Sequence, residues 1–314
     1  MLVSIIVITY NSSKYVLDTL ESCNSQSILH PPSGNLKAEL IISDDCSTDN
    51  TVAICSKWVS EHKGCFVRTV VTKTPTNQGI CGNYNHARAL AHGEWIKYIA
   101  GDDVLKPNCI ERFAVNIQPG TELYFSDAER INAEGRCSEC WHCPLVNTSS
   151  GETTKSEAGK QLRQMLRYHP MIPGPAIFVN SKALEDVDGF DERFPMSEDY
   201  PIVMRFLTHG KPVHIISEPL VQWRAHSDSV SVNYTTSGFS LSVKESILYY
   251  TKKYCWRHFL FGIHYHEWLT IWIREHQGIP FLRFFGYFLR GFDFVNLKRK
   301  IFPAPKWVEI KHNA

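Results

Sequence analysis

Two adjacent carboxylates, Asp102 and Asp103, follow directly behind the apolar run EWIKYIA at residues 94–100. The run has the pattern of a buried strand, and neighbouring anions at its end repel each other unless a cation lies beside them. A hard divalent cation such as Mg²⁺ or Mn²⁺ takes one or two carboxylates together with phosphate oxygens and water. The pair therefore predicts a metal that carries a nucleotide diphosphate. The alternative is that the two aspartates only cap the turn before Pro107.

Two further acidic pairs stand where elements begin or end. Asp44 and Asp45 follow the apolar run AELIIS, and Asp45 could instead satisfy free amides at the start of the next helix. Glu198 and Asp199 stand in SEDYPIVMRF, whose apolar residues recur at helical spacing, so these acids belong to a first helical turn. Each pair is a candidate for chemistry as well as for helix capping.

Several function classes lose support from composition and missing motifs. The 33 Lys and Arg balance 32 Asp and Glu, for a net charge of +1, so no basic field attracts nucleic acid. The turn after the first apolar run, TYNSSKY, contains no glycine. The dinucleotide fingerprint G-x-G-x-x-G and the phosphate loop G-x-x-x-x-G-K-[ST] are both absent there. An NAD-dependent oxidoreductase and a phosphate-loop ATPase are therefore disfavoured.

The ten cysteines are scattered, which favours reduced thiols in a cytoplasmic protein over a disulfide framework. One cluster is denser: CSECWHC places Cys137, Cys140 and Cys143 at C-x2-C-x2-C spacing beside His142. Such spacing suits zinc, but a second C-x2-C pair does not follow in the chain. The favoured interpretation is a solvated loop with ordinary thiols.

The elements that must position these residues alternate along the first part of the chain. Apolar runs at LVSIIVITY, AELIIS, FVRTVVTK and EWIKYIA predict buried strands, and amphipathic segments between them predict helices. Such alternation gives βαβ units and a mostly parallel, doubly wound α/β sheet, whose ligands bind beyond the carboxyl ends of the strands. ELYFSDAERIN predicts another strand, residues 160–235 mix short helices with strands, and the chain from about residue 240 is helical and rich in aromatic residues.

Four segments carry a family resemblance, and they occur in the family's order: VSIIVITYNSSKYVLDTLES, LIISDDCSTDNT, NQGICGNYNHARALAHGEWIKYIAGDDVLKP and GFDERFPMSEDYPIVMRF. Together they resemble family 2 glycosyltransferases and the nucleotide-diphospho-sugar transferase (GT-A) fold over roughly residues 1–230. The combination of NYN, AGDD, PGPAIF and WRAHSDSVS is similar to bacterial transferases that build O-antigen or other surface polysaccharides.

The resemblance implies a role for each matching residue. Asp103 would be the direct metal ligand, with Asp102 and His226 completing the shell, although His226 could equally be fixed in a closing loop. Asp199 would be the general base, with Glu198 beside it. Many relatives carry an arginine where this chain has Asn83, which puts a diphosphate contact there in doubt and leaves Arg88 as a candidate. The implied donor-binding residues are Thr9, Tyr10, Asn11, Asp44, Asp45, Asn77, Asn83 and Asp102, with Asp44 or Asp45 accepting a hydrogen bond from uracil.

The function implied is inverting, metal-dependent transfer of a hexose from a UDP-sugar to a hydroxyl of a lipid-diphosphate-linked glycan in O-antigen or polysaccharide synthesis. The hexose is galactose, glucose or an N-acetyl form. The alternatives are a nucleotidyltransferase of similar fold, disfavoured because TYNSSKY lacks glycine, and a catalytically silent carbohydrate-binding relative, disfavoured because the metal and base carboxylates are present.

The predicted domains are a catalytic domain at 1–235, with a nucleotide-sugar half at 1–110 and an acceptor half at 111–235, and a helical region at 236–314. In the last region, aromatic residues with flanking Lys and Arg predict an in-plane helix at an anionic membrane surface. Packing of these helices on the catalytic domain or on a second subunit is the alternative. The expected location is the inner face of the bacterial cytoplasmic membrane, where a polyprenyl-diphosphate-linked acceptor lies.

Overall fold

The structure is a computed structural model of the 314-residue chain. It describes residues 1–29, 35–62, 64–145, 154–170, 172–227, 229 and 239–255. The chain divides into two compact units, residues 1–246 and residues 247–314, and the sheet lies in the first.

The first half of the sheet is parallel. Its strands have the order β3-β2-β1-β4, and β1 is buried from its second residue onward because its β-branched side chains are covered on both faces. The elements of this half are β1 (Leu2–Thr9), α1 (Val16–Asn24), β2 (Lys37–Asp44), α2 (Thr51–Glu61), β3 (Thr69–Lys73), α3 (Gly79–Arg88) and β4 (Trp95–Ala100). The predicted alternation of strand and helix is confirmed here.

The second half makes the sheet mixed. Its elements are β5 (Val104–Leu105), α4 (Cys109–Val115), β6 (Leu123–Ile131), β7 (Cys137–Trp141), α5 (Thr154–Tyr168), a 3-10 turn (Gly174–Ala176), β8 (Ile177–Asn180), α6 (Ser181–Asp186), α7 (Asp199–Thr208), β9 (Val213–Arg224) and α8 (Phe239–Tyr254). β8 joins β4 to β6 by antiparallel pairing, while β9 runs parallel to β6 and antiparallel to β5. The full order is β3-β2-β1-β4-β8-β6-β9-β5, with β7 paired to β6.

The register of the sheet brings the predicted site residues to one edge. Thr9 at the end of β1 lies opposite Asp44 at the end of β2, and Ile8 lies opposite Ala100 at the end of β4. The carboxyl ends of these parallel strands therefore meet, as the rule for open parallel sheets requires. The end of β9 joins them, because the backbone N–H of Arg224 donates to Asp103 Oδ1 at 2.8 Å.

The cysteine-rich segment is a strand, so its interpretation as a loop is wrong. CSECW forms β7, an antiparallel partner of β6 with a register shift at Arg130 and Ile131. Cys137 and Cys140 are exposed. Within the described residues, no group of three or more His, Cys, Asp and Glu side chains is placed to hold a metal ion.

The C-terminal region is described only as far as residue 255. Stacked and edge-on tyrosine rings occur on α8, between Tyr249 and Tyr250 and between Tyr250 and Tyr254. None of the helices in the described ranges has the length and apolar character needed to cross a membrane. The predicted interfacial segment falls in residues 256–314, outside the described residues.

Candidate functional site

A cavity of about 800 Å³ lies at the carboxyl edge of the sheet. Its lining comes from the ends of β1, β2, β4 and β9, the 3-10 turn and the start of α7. All predicted site residues except Asp44 line it, namely Thr9, Tyr10, Asn11, Asp45, Asn77, Asn83, Asp102, Asp103, Glu198, Asp199 and His226. The tertiary structure thus gathers acids from three distant parts of the sequence.

Asp44 does not line the cavity, which corrects its assignment to the donor site. Its side chain is buried, and Oδ1 accepts the backbone N–H of Ser47 at 2.8 Å. Oδ2 accepts the hydroxyl of Thr9 at 2.9 Å. Asp44 therefore ties the ends of β1 and β2 together.

Asp45 lines the cavity and organises a different helix from the one that capping predicts. Its Oδ1 accepts the N–H of Gln78 and its Oδ2 the N–H of Gly79, both at 2.8 Å. These amides stand at the start of α3, whereas α2 begins at Thr51. The capping alternative for α2 is wrong, and Asp45 instead fixes the start of α3 beside the cavity.

The turn after β1 is cross-linked to the turn after β2. Asn11 has a left-handed backbone, with φ of 50°, which asparagine tolerates better than most residues. Its N–H donates to Ser47 Oγ at 2.8 Å, and its Oδ1 accepts the N–H of Thr48 at 2.9 Å. Tyr10, which precedes it, is half exposed and lines the cavity.

Asn83 lines the cavity but is bonded to the sheet. It is buried, its Nδ2 donates to the Ser43 carbonyl at 3.0 Å, and its Oδ1 accepts the Ser43 hydroxyl at 2.6 Å. Arg88 does not line the cavity, so it does not replace an arginine at position 83. The cationic side chains that line it are Lys14 and Arg224. Neither side chain was predicted from the sequence as a site residue, although Arg224 stands in the WRAH motif.

Three polar side chains that line the cavity, those of Lys14, Arg224 and His226, lie close to the ring of Tyr15. Lys14 Nζ lies 4.9 Å and Arg224 Cζ 4.8 Å from its centroid, and the His226 ring centroid lies at 4.6 Å. Arg224 also donates to the Asp102 carbonyl at 2.7 Å and to Asp18 at 2.9 Å. This end of the cavity therefore has a fixed positive charge beside the aspartate pair.

The aspartate pair meets His226. Asp102 Oδ2 and His226 Nε2 lie 3.0 Å apart, while Asp103 commits its Oδ1 to the Arg224 N–H. Burial, and secondly the charge of Asp102, raise the pKa of Asp103. The helix after Pro107, α4, begins at Cys109 with Asn108 as its N-cap, so capping of that helix does not explain the pair.

The Asp102–His226 spacing fits an octahedral divalent ion. Neighbouring ligands at about 2.1 Å from such an ion lie about 3.0 Å from each other, the separation of these two atoms. A carboxylate with an imidazole is a donor set that Mn²⁺ accepts. Asp103 lines the same end of the cavity, but among the described residues no third carboxylate, imidazole or thiolate is placed to hold an ion together with this pair.

The second acidic pair opens α7, which begins at Asp199 as predicted. Glu198 Oε2 is buried without a hydrogen-bond partner among the described residues. Burial, together with the neighbouring Asp199 charge, raises the pKa of Glu198 to about 8. Burial also raises the pKa of Asp199 to about 6, against the opposing hydrogen bond from the Tyr200 N–H at 2.7 Å. At neutral pH the pair therefore holds one proton, on Glu198, and Asp199 is ionised.

The turn beside this pair requires glycine. A Cβ on Gly174 would lie 2.1 Å from Glu198 Oε1, so only glycine admits the carboxyl at this distance. Lys97 stabilises the same turn, because its buried Nζ donates hydrogen bonds to the backbone carbonyls of Ile177, at 3.2 Å, and of Pro175. Burial lowers the pKa of Lys97 to about 8. The sequence signal for Lys97 was its isolation in the apolar run EWIKYIA.

Comparison with known proteins agrees with this geometry. Residues 4–137 match the model of Glycosyl transferase family 2. The putative glycosyltransferase EpsE of Bacillus subtilis is 24% identical over 262 residues, which are 79% of this chain and 80% of that protein. Abequosyltransferase RfbV of Salmonella typhimurium is 24% identical over 247 residues, which are 73% of this chain and 68% of that protein.

Solved structures share the fold. The structure of S. aureus TarS 1-349 in complex with UDP-GlcNAc has a TM-score of 0.61 and 20% identity, covering 87% of this chain and 81% of that one. A mannosyltransferase from Pyrobaculum calidifontis, in complex with GDP-Man and Mn²⁺, has a TM-score of 0.53 and 16% identity, covering 80% and 63%. Residues 4–137 thus match family 2 glycosyltransferases in sequence, and these relatives together with the GT-A fold indicate a glycosyltransferase.

Proposed function

We propose that the protein transfers a hexosyl group from a UDP-sugar to a hydroxyl of a lipid-diphosphate-linked glycan, with inversion at the anomeric carbon. The observation that carries the proposal is one cavity with two distinct acidic centres. The Asp102–His226 pair offers ligands for a metal, and the Glu198–Asp199 pair offers an ionised carboxylate beside a protonated one. Sugar transfer needs both, because charge develops on the departing diphosphate while the acceptor hydroxyl loses a proton.

The donor base is uracil, read by Asp45. Asp45 Oδ2 accepts one hydrogen bond, from the Gly79 N–H, and a carboxylate oxygen can accept two. The second lone pair suits the N3–H of uracil, a donor that cytosine lacks. That TarS, which shares this fold, binds UDP-GlcNAc supports a UDP-sugar here.

The metal is Mn²⁺ or Mg²⁺, held by Asp102 and His226, with the donor diphosphate and water as its other ligands. When bound, it stabilises the negative charge of the diphosphate as a Lewis acid. The protein's own contribution is to hold Asp102 and His226 3.0 Å apart and to place Lys14 and Arg224 at the same end of the cavity. The fit of the ligand spacing and the Mn²⁺ complex of a mannosyltransferase of this fold support the assignment.

Asp199 is the general base in a single displacement. Its pKa of about 6 leaves it ionised at neutral pH, so it can take the proton of the acceptor hydroxyl as that oxygen attacks. Glu198 stays protonated, because a second charge in the same buried site is unfavourable. This protonation keeps the single negative charge on Asp199.

One set of measurements on the full chain tests these roles. A panel of UDP-sugars with Mn²⁺ is screened for donor hydrolysis and for transfer to short alkyl glycosides and a lipid-diphosphate-linked acceptor analogue. We expect activity that EDTA abolishes and added Mn²⁺ restores, and a β-linked product from an α-linked donor. An α-linked product would exclude the single displacement, full activity in EDTA would exclude the metal role, and equal affinity for UDP and CDP would exclude uracil recognition.

Membrane contact belongs to the same proposal. The acceptor lipid places its glycan at the cytoplasmic membrane face, and the aromatic, Lys- and Arg-rich residues 281–300 have the composition of an interfacial helix. The test is sedimentation of the detergent-free protein with anionic liposomes at low salt, compared with a chain truncated after about residue 275. Failure of the full chain to sediment, with unchanged activity of the truncated chain on the lipid-linked acceptor, would remove the membrane role.

A further inference from the structure

Two indole rings line the cavity in addition to the residues discussed so far. Trp141 is the last residue of β7 and lies opposite Ala128 of β6, and Trp223 is near the end of β9. Both side chains are partly exposed. One face of Trp223 carries the Arg130 guanidinium, 5.6 Å from the ring centroid. Trp141 is paired with Ala128 in the strand register, and part of its side chain lines the cavity.

The backbone around Trp141 is fixed by a buried carboxylate. Asp127 of β6 is buried, and its Oδ2 lies 2.6 Å from His142 Nδ1, while its Oδ1 accepts the Cys143 N–H at 2.9 Å. The two residues that follow Trp141 are therefore both anchored to the sheet. On the preceding side, Arg130 and Glu139 form an ion pair of 2.9 Å between β6 and β7. The cysteine-rich segment thus holds Trp141 at a defined place on the cavity wall.

The strand that carries Trp223 and the strand paired with Trp141 lie beside the turn that borders the acidic pair. The turn at 172–176 packs against β6 and β9, the strands that carry Ala128 and Trp223. Its Ile172 backbone hydrogen-bonds to Asp199, and its Gly174 lies against Glu198. The donor end is different in character, because the turns after β1 and β2 line it with polar groups such as Thr9, Asn11 and Asp45. The apolar aromatic surface therefore lies at the end of the cavity where the acceptor hydroxyl must arrive.

From this arrangement we infer that Trp141 and Trp223 form a stacking platform for the acceptor sugar, and that Trp141 selects which acceptor is used. A pyranose ring presents C–H groups on its faces and hydroxyls at its rim. Packing a C–H face on an indole leaves the rim hydroxyls free to meet Asp199, which lines the same cavity. Trp141 lies outside residues 4–137 that match the family model. The inference rests on the proposed function.

The test compares Trp141→Ala and Trp141→Phe with the wild type. Tyr168→Ala, an exposed aromatic residue of α5 outside the cavity, is the matched control. The probes are propyl glycosides of glucose, galactose, N-acetylglucosamine and N-acetylgalactosamine. We expect Trp141→Ala to raise the KM for the accepted glycoside about tenfold, in line with the loss of one aromatic stacking contact, while Trp141→Phe retains most of the affinity. UDP affinity and acceptor-independent UDP-sugar hydrolysis should stay at the wild-type level in both.

The outcomes separate this inference from the proposed function. An unchanged acceptor KM in Trp141→Ala overturns the platform alone, as does a loss of UDP affinity and hydrolysis in parallel with the KM, which indicates damage to the fold. A wild type that hydrolyses the donor but responds to none of the four glycosides also overturns it. A wild type that neither binds UDP nor hydrolyses UDP-sugars removes the proposed function and the platform with it.

Discussion

Two acidic pairs beside the cavity differ in their hydrogen-bond partners. Asp45, on the cavity wall, and its neighbour Asp44 accept hydrogen bonds on all four of their oxygens, from backbone amides and hydroxyls of neighbouring turns. At the start of α7, Glu198 Oε2 is buried with no partner among the described residues, and the pKa values of Glu198 and Asp199 are both raised. Partnered carboxylates fix geometry, whereas poorly solvated ones keep a proton and stay reactive.

The backbone beside each pair explains the difference. The turns after β2 and β3 present the N–H groups of Ser47, Gln78 and Gly79 to Asp44 and Asp45. The turn beside Glu198 reads Pro173-Gly174-Pro175, and the two prolines have no N–H to donate. Backbone amides are therefore available as partners beside one acidic pair and scarce beside the other.

The largest effect is expected for Asp199→Asn. Loss of the general base should lower the transfer rate about 10²- to 10⁴-fold, while UDP affinity stays unchanged because the donor end does not depend on Asp199. Steady-state transfer assays and calorimetry with UDP measure the two effects. Glu185→Gln, an exposed acid on α6, is the control. A transfer rate near that of the wild type would show that Asp199 is not the general base.

Gly174→Ala should disturb the same end through packing. Its Cβ would lie 2.1 Å from Glu198 Oε1, so the carboxyl must move, at a cost of about 1–3 kcal/mol in the free energy of unfolding. Transfer should fall while UDP affinity is retained. Gly159→Ala on α5 is the matched control, because the added Cβ would lie at an ordinary 3.7 Å from the side-chain Nη1 of Arg163 in the same helix. Equal thermal stability and transfer in the two variants would contradict the close contact.

At the donor end, Asp44→Asn and Asp45→Asn should separate scaffold from recognition. Both remove acceptors of buried N–H or O–H groups and should lower the free energy of unfolding by about 1–3 kcal/mol. Only Asp45→Asn should also reduce the preference for UDP over CDP, by about tenfold, because an amide can donate to cytosine N3 as well as accept from uracil. Calorimetry with both nucleotides measures this ratio. The same fall in Asp44→Asn would contradict the separation of the two roles.

The last prediction concerns how stability changes with pH. The pKa of Glu198 is about 8 in the folded protein against an ordinary 4.5, so the folded state binds more protons than the unfolded state between these values. Stability from this group is therefore fully present below pH 4.5 and is lost as pH rises toward 8, by at most about 1.4 kcal/mol per pH unit. Denaturant unfolding of wild type and Glu198→Gln from pH 5 to 8 should show a flatter profile for the variant. Parallel profiles would contradict a raised pKa of Glu198 in the folded protein.

The sequence alone determined the parallel half of the molecule. Long β-branched runs can only be buried strands, and their alternation with amphipathic segments leaves few topologies. Polar residues at three strand ends then had to meet at one edge, which located the cavity. The start of α7 at Asp199 could also be predicted, since apolar residues follow it at helical spacing.

Only the tertiary structure decided which of these polar residues face the cavity. Asp44 and Asp45 are adjacent and chemically identical, but Asp44 is bonded to Thr9 and Ser47, and only Asp45 lines the cavity. Arg224 reaches Asp103 across 121 residues, and Trp141 reaches the cavity through pairing between β7 and β6. Such contacts depend on register and on pairing between distant strands, and no local pattern of residues encodes them.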